Sequence, residues 1–412
     1  MTRRPFAMPK GVRAQHARIS EPRQPMPAIN SAELTESCCE TLNYPMNGLR
    51  ALPRKPIRSR RKNGHSHLQR RSDPAAPNKE SLMNFPFASM PRRLAVSAMS
   101  LLLVTAANAT ELRMLTSYGM NTAYTENVAV RFNDMVAEAS GGETTVTLQG
   151  PDVVPPLEQL QPVAAGVFDM LYTHGAYHTD TTGVGAAMDA VAVDPAKVRD
   201  SGIWDLIDKH YNELGLKVIA IVPLGSSGFQ YVLKEPIEAA PSLQGRRLRG
   251  SPTYTNITTQ LGGAPVLMSS GEVYSAMDRG VIDGAAWGLN GVKDLGWHEV
   301  AGYFTKPTFG QTYTYVLMNL DKFNGLDEAE RTLLLEQGTA LEDTSAPLLD
   351  ELAVKEWDEL KELGMEETQF APEDVPNLTT LVNEGIWQLG MDKSADVVGQ
   401  MKQLAEENGL TQ

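Results

Sequence analysis

The residues best suited to ligand chemistry lie in one stretch, Leu243 to Gly291, whose pattern predicts strand, helix, strand, helix, strand. Arg249 falls at the end of the first predicted strand, and Trp287 lies on the last. In an open α/β sheet, ligands bind outside the carboxyl ends of the strands, so these two side chains should share one wall of a cleft. A guanidinium matches a carboxylate with two parallel hydrogen bonds, and an indole offers an apolar face. The pair therefore predicts a site for a small molecule with a carboxylate.

Two acidic residues of this stretch have structural interpretations. Glu272 opens the second predicted helix, where Ser269 or Ser270 can cap the helix and the carboxylate favours its positive end. Asp283 is predicted to end a strand or to cap a turn. For Arg249 itself, the alternative is an ion pair with a structural carboxylate.

Strands and helices also alternate between residues 111 and 173, which predicts a parallel sheet with right-handed crossovers. The loops that leave its first and third strands carry Tyr118, His174 and Tyr177. Such loops point into the cleft, so Tyr118 and Tyr177 are candidate ligand contacts; the alternative is that they pack beneath the loops. His174 has no nucleophile or partner carboxylate at a recognisable spacing, so the sequence does not favour a catalytic base.

Two features of the C-terminal half complete the interpretation from residues alone. Residues 311–319 alternate strictly and predict a strand with Tyr313 and Tyr315 on one face, either in the core or in the cleft, and Tyr313 is a further candidate ligand contact. Residues 328–363 predict one long helix in which Pro347 should produce a kink, because proline removes a backbone donor.

The N-terminal region has a different composition from the rest. Residues 1–80 carry 16 Lys and Arg against 6 Asp and Glu and lack apolar periodicity. Such a segment cannot bury enough surface to offset its chain entropy, so we expect residues 1–82 to form a disordered basic extension. The basic cluster at residues 58–62 admits an alternative interpretation as a nucleic-acid-binding tail.

Residues 83–109 have the parts of a secretory signal peptide. Two arginines precede an apolar stretch, residues 94–104, that is too short to span a bilayer, and small residues at 107–109 form a cleavage site. A signal normally begins a protein, so we infer that translation starts at Met83 or Met90 and that the upstream extension is absent from the mature protein. The alternative is a long pre-region removed with the signal.

The 303 residues from Thr110 onward are strongly acidic, with a net charge of −25. Both cysteines, Cys38 and Cys39, lie upstream, so no disulfide or thiolate metal site is available to this part. Such an acidic chain is a poor partner for nucleic acid or anionic lipid, and no later apolar run approaches the length of a membrane span. We expect a soluble exported protein of two lobes.

Several short segments occur in an order that resembles a known family. GRRLR at 245–249, LGGAPV at 261–266, EVY at 272–274 and GVIDG at 280–284 are similar to the signature of the solute-binding proteins of tripartite ATP-independent periplasmic (TRAP) transporters. The resemblance extends from about residue 110 to the C-terminus. It implies a two-lobed α/β periplasmic binding protein fold, in which each lobe is a mainly parallel sheet flanked by helices and a long kinked helix spans both.

The resemblance also implies an organisation and a function. Lobe I would comprise residues 110–232 and about 320–346, and lobe II residues 233–319 and about 347–412. Such proteins catch a small organic anion in the interlobe cleft, close by a hinge motion and deliver the ligand to a membrane permease. A periplasmic location and the absence of a cofactor are further expectations.

Two site residues follow from the family pattern. Most family members have an arginine at the position of Arg249, and this arginine binds the carboxylate of the ligand. The position after Gly228 and Phe229 usually bears a polar group that faces the ligand, and Gln230 occupies it here. An amide can donate and accept hydrogen bonds, so it suits an oxygen-rich ligand; the alternative is a glutamine that faces solvent.

The sequence departs from the commonest family pattern after Gly284. There Trp287 takes the place of an asparagine that holds the ligand, as in a branch associated with 2-oxo acids and other small monocarboxylates. In that branch a glutamate before the tryptophan can ligate a metal ion, whereas this chain has Ala286, so we expect no required metal. Trp287 and the tyrosines favour a ligand with an apolar or aromatic body, or a cation seated on the rings.

Catalysis and sensing are the competing functions. The sequence contains no Gly-x-Ser-x-Gly elbow, no phosphate-binding Gly-x-x-x-x-Gly-Lys loop and no His-Glu-x-x-His motif, so an enzyme is not predicted. A hydrolytic enzyme is the weaker alternative. The other is a periplasmic module that reports its ligand to a signalling receptor.

Overall fold

A computed structural model of the chain describes residues 109–226 and 228–411. The predicted basic extension at residues 1–82 and the body of the predicted signal peptide lie outside the described residues. Among the residues that are described, no helix is both long enough and apolar enough to cross a membrane.

Strands and helices alternate along the described chain. The strands are β1 (Thr110–Thr116), β2 (Thr144–Gln149), β3 (Met170–His174), β4 (Leu216–Pro223), β5 (Phe229–Leu233), β6 (Arg247–Gly250), β7 (Ala264–Leu267), β8 (Gly284–Gly288), β9 (Tyr303–Lys306), β10 (Tyr313–Asn319) and β11 (Glu366–Gln369). The α-helices are α1 (Arg131–Ala139), α2 (Leu160–Ala164), α3 (Val184–Ala187), α4 (Pro195–Asp200), α5 (Ile203–Glu213), α6 (Thr255–Gln260), α7 (Val273–Asp278), α8 (Leu320–Gly325), α9 (Glu328–Glu362) and α10 (Leu378–Glu407). A π-helical segment, Thr125–Val130, leads into α1.

Within the described residues the strands form two sheets, and each sheet has one antiparallel member. The first sheet has the order β2-β1-β3-β10-β4, in which β10 is antiparallel to its neighbours. The second has the order β11-β9-β5-β8-β6-β7, in which β5 is antiparallel. Parallel neighbours require crossover connections, which the helices supply. These sheets are the centres of two lobes, and the predicted two-lobed α/β fold is confirmed.

Two strands exchange between the lobes, which corrects the predicted lobe boundaries. β5 follows β4 of the first sheet in the chain but pairs with β8 of the second, and β10 returns to pair with β3 and β4. The predicted boundaries after residues 232 and 319 are therefore wrong at these strands, because β5 belongs to lobe II and β10 belongs to lobe I. Pairing between distant strands decides this point, and a local sequence pattern does not reveal it.

Two connecting segments run side by side between the lobes, one with the described residues 224–226 and 228 and the other with residues 307–312. Leu224 donates its backbone N–H to the carbonyl of Thr312 at 3.0 Å. A Cβ atom added to Gly228 would lie 2.5 Å from the backbone of the other segment, so only glycine permits this close approach. The paired segments form the connection between the two sheets.

Helix α9 is anchored on lobe I by Glu342, which is 1% exposed. Its carboxylate accepts hydrogen bonds from Arg199 Nε at 2.8 Å, from Trp204 Nε1 at 3.0 Å and from the Ile221 N–H at 2.6 Å. Burial raises the pKa of Glu342, and the Arg199 guanidinium opposes that rise. The ring of donors is what allows a carboxylate to remain in this interior position.

The same helix is anchored on lobe II by Glu356, which lies about 21 Å, or about four turns, further along. Glu356 accepts hydrogen bonds from the backbone N–H groups of Gly291 at 2.6 Å and Lys293 at 2.9 Å, in the turn after β8. Helix α9 runs through Pro347 without interruption. It therefore spans both lobes, as predicted, with one buried acid holding each.

Two helical segments are interrupted at single residues. Helices α4 and α5 are separated at Gly202, whose φ of 81° is not helical. Helix α10 is interrupted at Ser394, whose φ of −145° and ψ of 49° are also not helical. The Ser394 hydroxyl lies 3.1 Å from the Thr182 hydroxyl and accepts the Gly183 N–H at 3.2 Å. This contact ties the C-terminal helix to lobe I.

Replacing Glu342 tests its role as an anchor. We expect Glu342→Ala to lower the free energy of unfolding by about 3–5 kcal/mol, because it leaves the Arg199 charge and two buried N–H donors without their acceptor. Glu336→Ala, an exposed glutamate on the same helix, should change stability by less than about 0.5 kcal/mol. Urea unfolding followed by circular dichroism measures both, and equal effects of the two variants would contradict the anchoring role.

Candidate functional site

A small cavity of about 30 Å³ lies between the lobes, where the carboxyl ends of parallel strands from both sheets face each other. Lobe I and the connecting segments contribute Tyr118, Tyr124, His174, Tyr177, Leu224 and Thr312. Lobe II contributes Phe229, Arg249, Ser251, Tyr254, Trp287 and Gly288. Aromatic rings thus supply much of the wall.

Arg249 lies at the carboxyl end of β6 and is 1% exposed. Its Nε donates to the carbonyl of Met268 at 3.0 Å, and its Nη1 donates to the carbonyl of Ala286 at 3.3 Å. Its Nη2 is buried and has no hydrogen-bond partner in the part of the chain that the structure describes. Because buried charges are normally paired, the free Nη2 marks a position for an acceptor group.

The nearby acids do not pair with Arg249. Among residues 109–226 and 228–411, no carboxylate lies within ion-pair distance of its guanidinium. Asp283 instead pairs with Arg247, with 2.8 Å between Oδ1 and Nη2. The Glu272 carboxylate accepts the N–H and the hydroxyl of Ser269 in a capping box, and these bonds lower its pKa. Both acids therefore have structural partners.

Trp287 forms the wall beside Arg249. Its Nε1 donates to the carbonyl of Asn290 at 2.9 Å, and the guanidinium carbon of Arg249 lies 5.2 Å from its ring centroid. The ring centroids of Tyr118 and Tyr124 each lie 6.2 Å from that of Trp287. Since these tyrosines belong to lobe I and Trp287 to lobe II, the aromatic cluster crosses the cleft.

Three tyrosines line the cavity with hydroxyls that have no hydrogen-bond partner among the described residues, Tyr118 and Tyr177 from lobe I and Tyr254 from lobe II. Burial raises the pKa of Tyr118 and of Tyr254 well above the ordinary value. These two phenols therefore stay protonated and can donate hydrogen bonds. Tyr118 and Tyr177 lie on the cavity wall, where the sequence analysis expected them.

Sequence reasoning missed four polar residues of the wall, Tyr124, Ser251, Tyr254 and Thr312. Ser251 and Tyr254 lie in the segment after β6, and Tyr124 lies in the connection after β1, so the carboxyl-end rule that identified Arg249 also covers these three and could have found them. Thr312 directly precedes β10, and the rule does not cover it because the amino end of an antiparallel strand lies at that edge of the sheet.

Gln230 lies beside the cavity and not in its lining. It is fully buried, so the alternative of a solvent-facing glutamine is wrong. Its Oε1 accepts the indole N–H of Trp357 at 3.0 Å, and its Nε2 lies 3.4 Å from the carbonyl of Gly288. Gln230 pairs in register with Trp287 and therefore supports the cavity wall from behind.

Tyr313, predicted to lie either in the core or in the cleft and taken as a candidate ligand contact, lies in the core. Its hydroxyl donates to the carbonyl of Ala192 at 2.9 Å, away from the cavity lining. Tyr315 on the same face donates to the carbonyl of Gly185 at 3.0 Å. Strand alternation correctly predicted that the two tyrosines lie on one face of β10. It could not tell whether that face would pack in the core of lobe I or line the cleft.

His174 does have a partner carboxylate, which the sequence did not reveal because it lies 15 residues away. Asp189 is fully buried, and its Oδ2 lies 2.9 Å from His174 Nε2. Nδ1 of the same ring accepts the Ala176 N–H at 3.0 Å. Both ring nitrogens are therefore engaged, and His174 offers no free lone pair for proton abstraction.

The described residues also include no group of three or more His, Cys, Asp or Glu side chains arranged to hold a metal ion. Ala286 is buried in the apolar core and presents no donor side chain. What converges on the cavity is one guanidinium, several hydroxyls and a set of aromatic rings, an arrangement that suits binding.

Residues 117–388 match the DctP family, described as bacterial extracellular solute-binding protein, family 7. This match covers about two thirds of the chain. The chain belongs to this family. The family resemblance seen in the sequence segments is thereby confirmed.

Curated relatives of this solute-binding protein are distant. The ectoine-binding periplasmic protein TeaA of Halomonas elongata is 24% identical over 168 residues, which is 40% of this chain and 49% of TeaA. A monocarboxylate 2-oxoacid-binding periplasmic protein of Nostoc sp. is 28% identical over 214 residues, which is 49% of this chain and 57% of the relative. The chain thus spans about half the length of these two relatives.

Solved structures with the same fold include DctP7 of Bordetella pertussis, an extracytoplasmic solute receptor that binds pyroglutamic acid. It has a TM-score of 0.64 and 18% identity and covers 72% of this chain and 100% of its own. A TRAP periplasmic solute-binding protein from Desulfovibrio salexigens with bound orotic acid has a TM-score of 0.64 and 18% identity, with coverage of 72% and 98%. At this identity the likeness establishes the fold.

A close contact between the lobes yields a prediction for Gly288. A Cβ atom added there would lie 2.1 Å from the hydroxyl oxygen of Tyr124, so Gly288→Ala forces the lobes apart locally. We expect the free energy of unfolding to fall by about 1–3 kcal/mol, as for overpacked interiors. In the Tyr124→Phe background, which lacks that oxygen, the same substitution should cost less. Urea unfolding of the four variants measures the coupling, and additive effects would contradict the proposed clash.

Proposed function

We propose that this family member is the extracytoplasmic solute-binding component of a TRAP transporter, which captures a small carboxylate between its lobes and delivers it to the membrane permease. The observation that carries the proposal is the buried Nη2 of Arg249, a residue of the cavity lining, which has no hydrogen-bond partner among the described residues. A carboxylate at this position would supply the missing acceptor and the missing counter-charge.

The charge of the lining supports a ligand with one carboxylate. Within the described lining, Arg249 is the one side chain with a permanent charge, and no Asp or Glu takes part. A second anionic group would therefore enter the cavity without a cation to pair with. The aromatic walls from Tyr118, Tyr254 and Trp287 favour an apolar or aromatic ligand body.

Known ligands of similar proteins are compatible with this class. Relatives are named for ectoine, for monocarboxylate 2-oxoacids and for 2,3-diketo-L-gulonate. Structures of the same fold are titled with pyroglutamic acid, orotic acid and L-galactonate. We infer that Trp287 places this chain in the monocarboxylate branch and that Ala286 makes binding independent of a metal ion.

The proposed site consists of Arg249 and Trp287 on lobe II and Tyr118 and Tyr177 on lobe I, with Gln230 behind the wall. Ligand contacts from both lobes would favour the closed state, because only that state makes all of them at once. We further propose a periplasmic location, with export directed by residues 83–109 and with permease subunits as the partner. A binding cycle of this kind involves no chemical change of the ligand.

A thermal-shift screen of the purified protein with mono-, di- and aromatic carboxylates, sugars, amino acids and uncharged solutes tests this function. A ligand that binds only the folded state stabilises it by about 2.7 kcal/mol at a concentration of 100 times Kd. We expect shifts from monocarboxylates that persist with chelator, and recovery of the ligand with unchanged mass. Shifts from uncharged solutes alone, or conversion of the ligand, would contradict the proposal.

Replacing Arg249 separates its binding role from a structural one. We expect Arg249→Met to weaken carboxylate binding from several-fold to about a thousandfold, since truncating a buried charged partner costs about 2–5 kcal/mol. The stability of the ligand-free protein should stay equal or rise, because the variant no longer buries a partly unpaired charge. Arg247→Met is the matched control, because Arg247 is an exposed arginine that pairs with Asp283. This variant should leave the affinity for the carboxylate unchanged. Unchanged affinity in Arg249→Met would refute the assignment.

A further inference from the structure

A line of three polar side chains reaches the cavity from the interior of lobe I, and the proposed function does not use it. Asp189 is fully buried and accepts the backbone N–H of Tyr313 at 2.9 Å. Its other carboxylate oxygen lies 2.9 Å from His174 Nε2. The same nitrogen lies 3.1 Å from Thr312 Oγ1, and Thr312 lines the cavity.

Hydrogen bonding fixes the proton on the His174 ring. Nδ1 accepts the Ala176 N–H at 3.0 Å, so Nδ1 presents its lone pair and cannot carry a proton. The ring proton is therefore on Nε2, which is hydrogen-bonded to the Thr312 hydroxyl oxygen and lies 2.9 Å from Asp189 Oδ2, an oxygen that has no hydrogen bond among the described residues. His174 is thus a neutral donor at this position.

This tautomer determines what the Thr312 hydroxyl can do. Because Nε2 carries the proton, Thr312 Oγ1 accepts from His174 and cannot donate to it. No other hydrogen-bond partner of Oγ1 occurs in the described part of the chain, although Thr312 is only 3% exposed. The hydroxyl proton is left free at the cavity surface as a donor.

We propose that Thr312 is a specificity-determining residue, held by His174 and Asp189 so that its hydroxyl donates a hydrogen bond to an uncharged oxygen of the ligand. The inference rests on the proposed function and narrows the ligand to carboxylates that also carry a carbonyl-type oxygen. The carboxylate binds Arg249 and the second oxygen binds Thr312. Asp189 and His174 are positioning residues that do not touch the ligand.

The position of Thr312 gives this contact a second consequence. Its backbone carbonyl accepts the N–H of Leu224 in the paired connection between the lobes. A ligand oxygen held by Thr312 is therefore held at the connection itself, whereas the carboxylate is held by lobe II. The two contacts together fix the orientation of the ligand across the cleft.

The test compares acids of one shape that differ in a single carbonyl oxygen. Suitable pairs are 4-methyl-2-oxopentanoate with 4-methylpentanoate, and 3-oxocyclopentanecarboxylate with cyclopentanecarboxylate, measured by titration calorimetry. We expect the wild type to prefer the oxo acid of at least one pair. Thr312→Val should reduce that preference by roughly five- to tenfold, the effect of one neutral hydrogen bond, whereas Thr312→Ser should retain it.

His174→Phe tests the positioning role of His174. The readout is the ratio of the affinities for the oxo acid and the simple acid, and a general loss of protein stability does not change that ratio. We expect this variant to lose the preference for the oxo acid over the simple acid of the same pair. Nitrogen-15 NMR of the wild type should show the His174 proton on Nε2. A proton on Nδ1, or an unchanged preference in Thr312→Val, would overturn the inference while carboxylate binding through Arg249 stands. If no carboxylate binds the wild type at all, the proposed function fails and this inference fails with it.

Discussion

Arg249 carries a full positive charge into a wall that is almost closed to solvent, and its environment compensates that charge only in part. Backbone carbonyls of Met268 and Ala286 take two of its nitrogens, and the Trp287 ring lies 5.2 Å away. Dipoles and an aromatic face stabilise a guanidinium less than a carboxylate does. The desolvation cost of an ion in a protein interior is several kcal/mol, so the remaining deficit is a driving force for binding an anion.

In the proposed binding cycle, closure of the lobes follows from where the ligand contacts lie. The charge is on lobe II, while Tyr118 and Tyr177 lie on lobe I, so one ligand reaches both sets only when the lobes approach. Helix α9 restrains this motion because Glu342 holds it to one lobe and Glu356 to the other. The movement must therefore be taken up by the paired connecting segments and by adjustment within the helix.

The sequence was informative wherever a local rule sufficed. The rule that ligands bind at the carboxyl ends of parallel strands predicted one cavity for Arg249, Trp287, Tyr118 and Tyr177. All four lie on or just after such strands, and all four line the cavity. The rule missed Thr312, which precedes an antiparallel strand. The exchange of β5 and β10 between sheets depends on pairing between segments far apart in the chain, so the lobe boundaries could not be read locally. The contact between His174 and Asp189 has no sequence signature for the same reason.

Buried polar and ionic groups among the described residues differ in how completely their hydrogen bonds are satisfied. Glu342 receives a guanidinium, an indole N–H and a backbone N–H, and Glu356 receives two backbone N–H groups. Such groups have little left to offer a ligand. Arg249 retains a buried nitrogen with no partner in the described chain, and Thr312 retains a hydroxyl proton. Because unsatisfied polar groups cost stability, their presence at one cavity is best explained by a ligand that completes them.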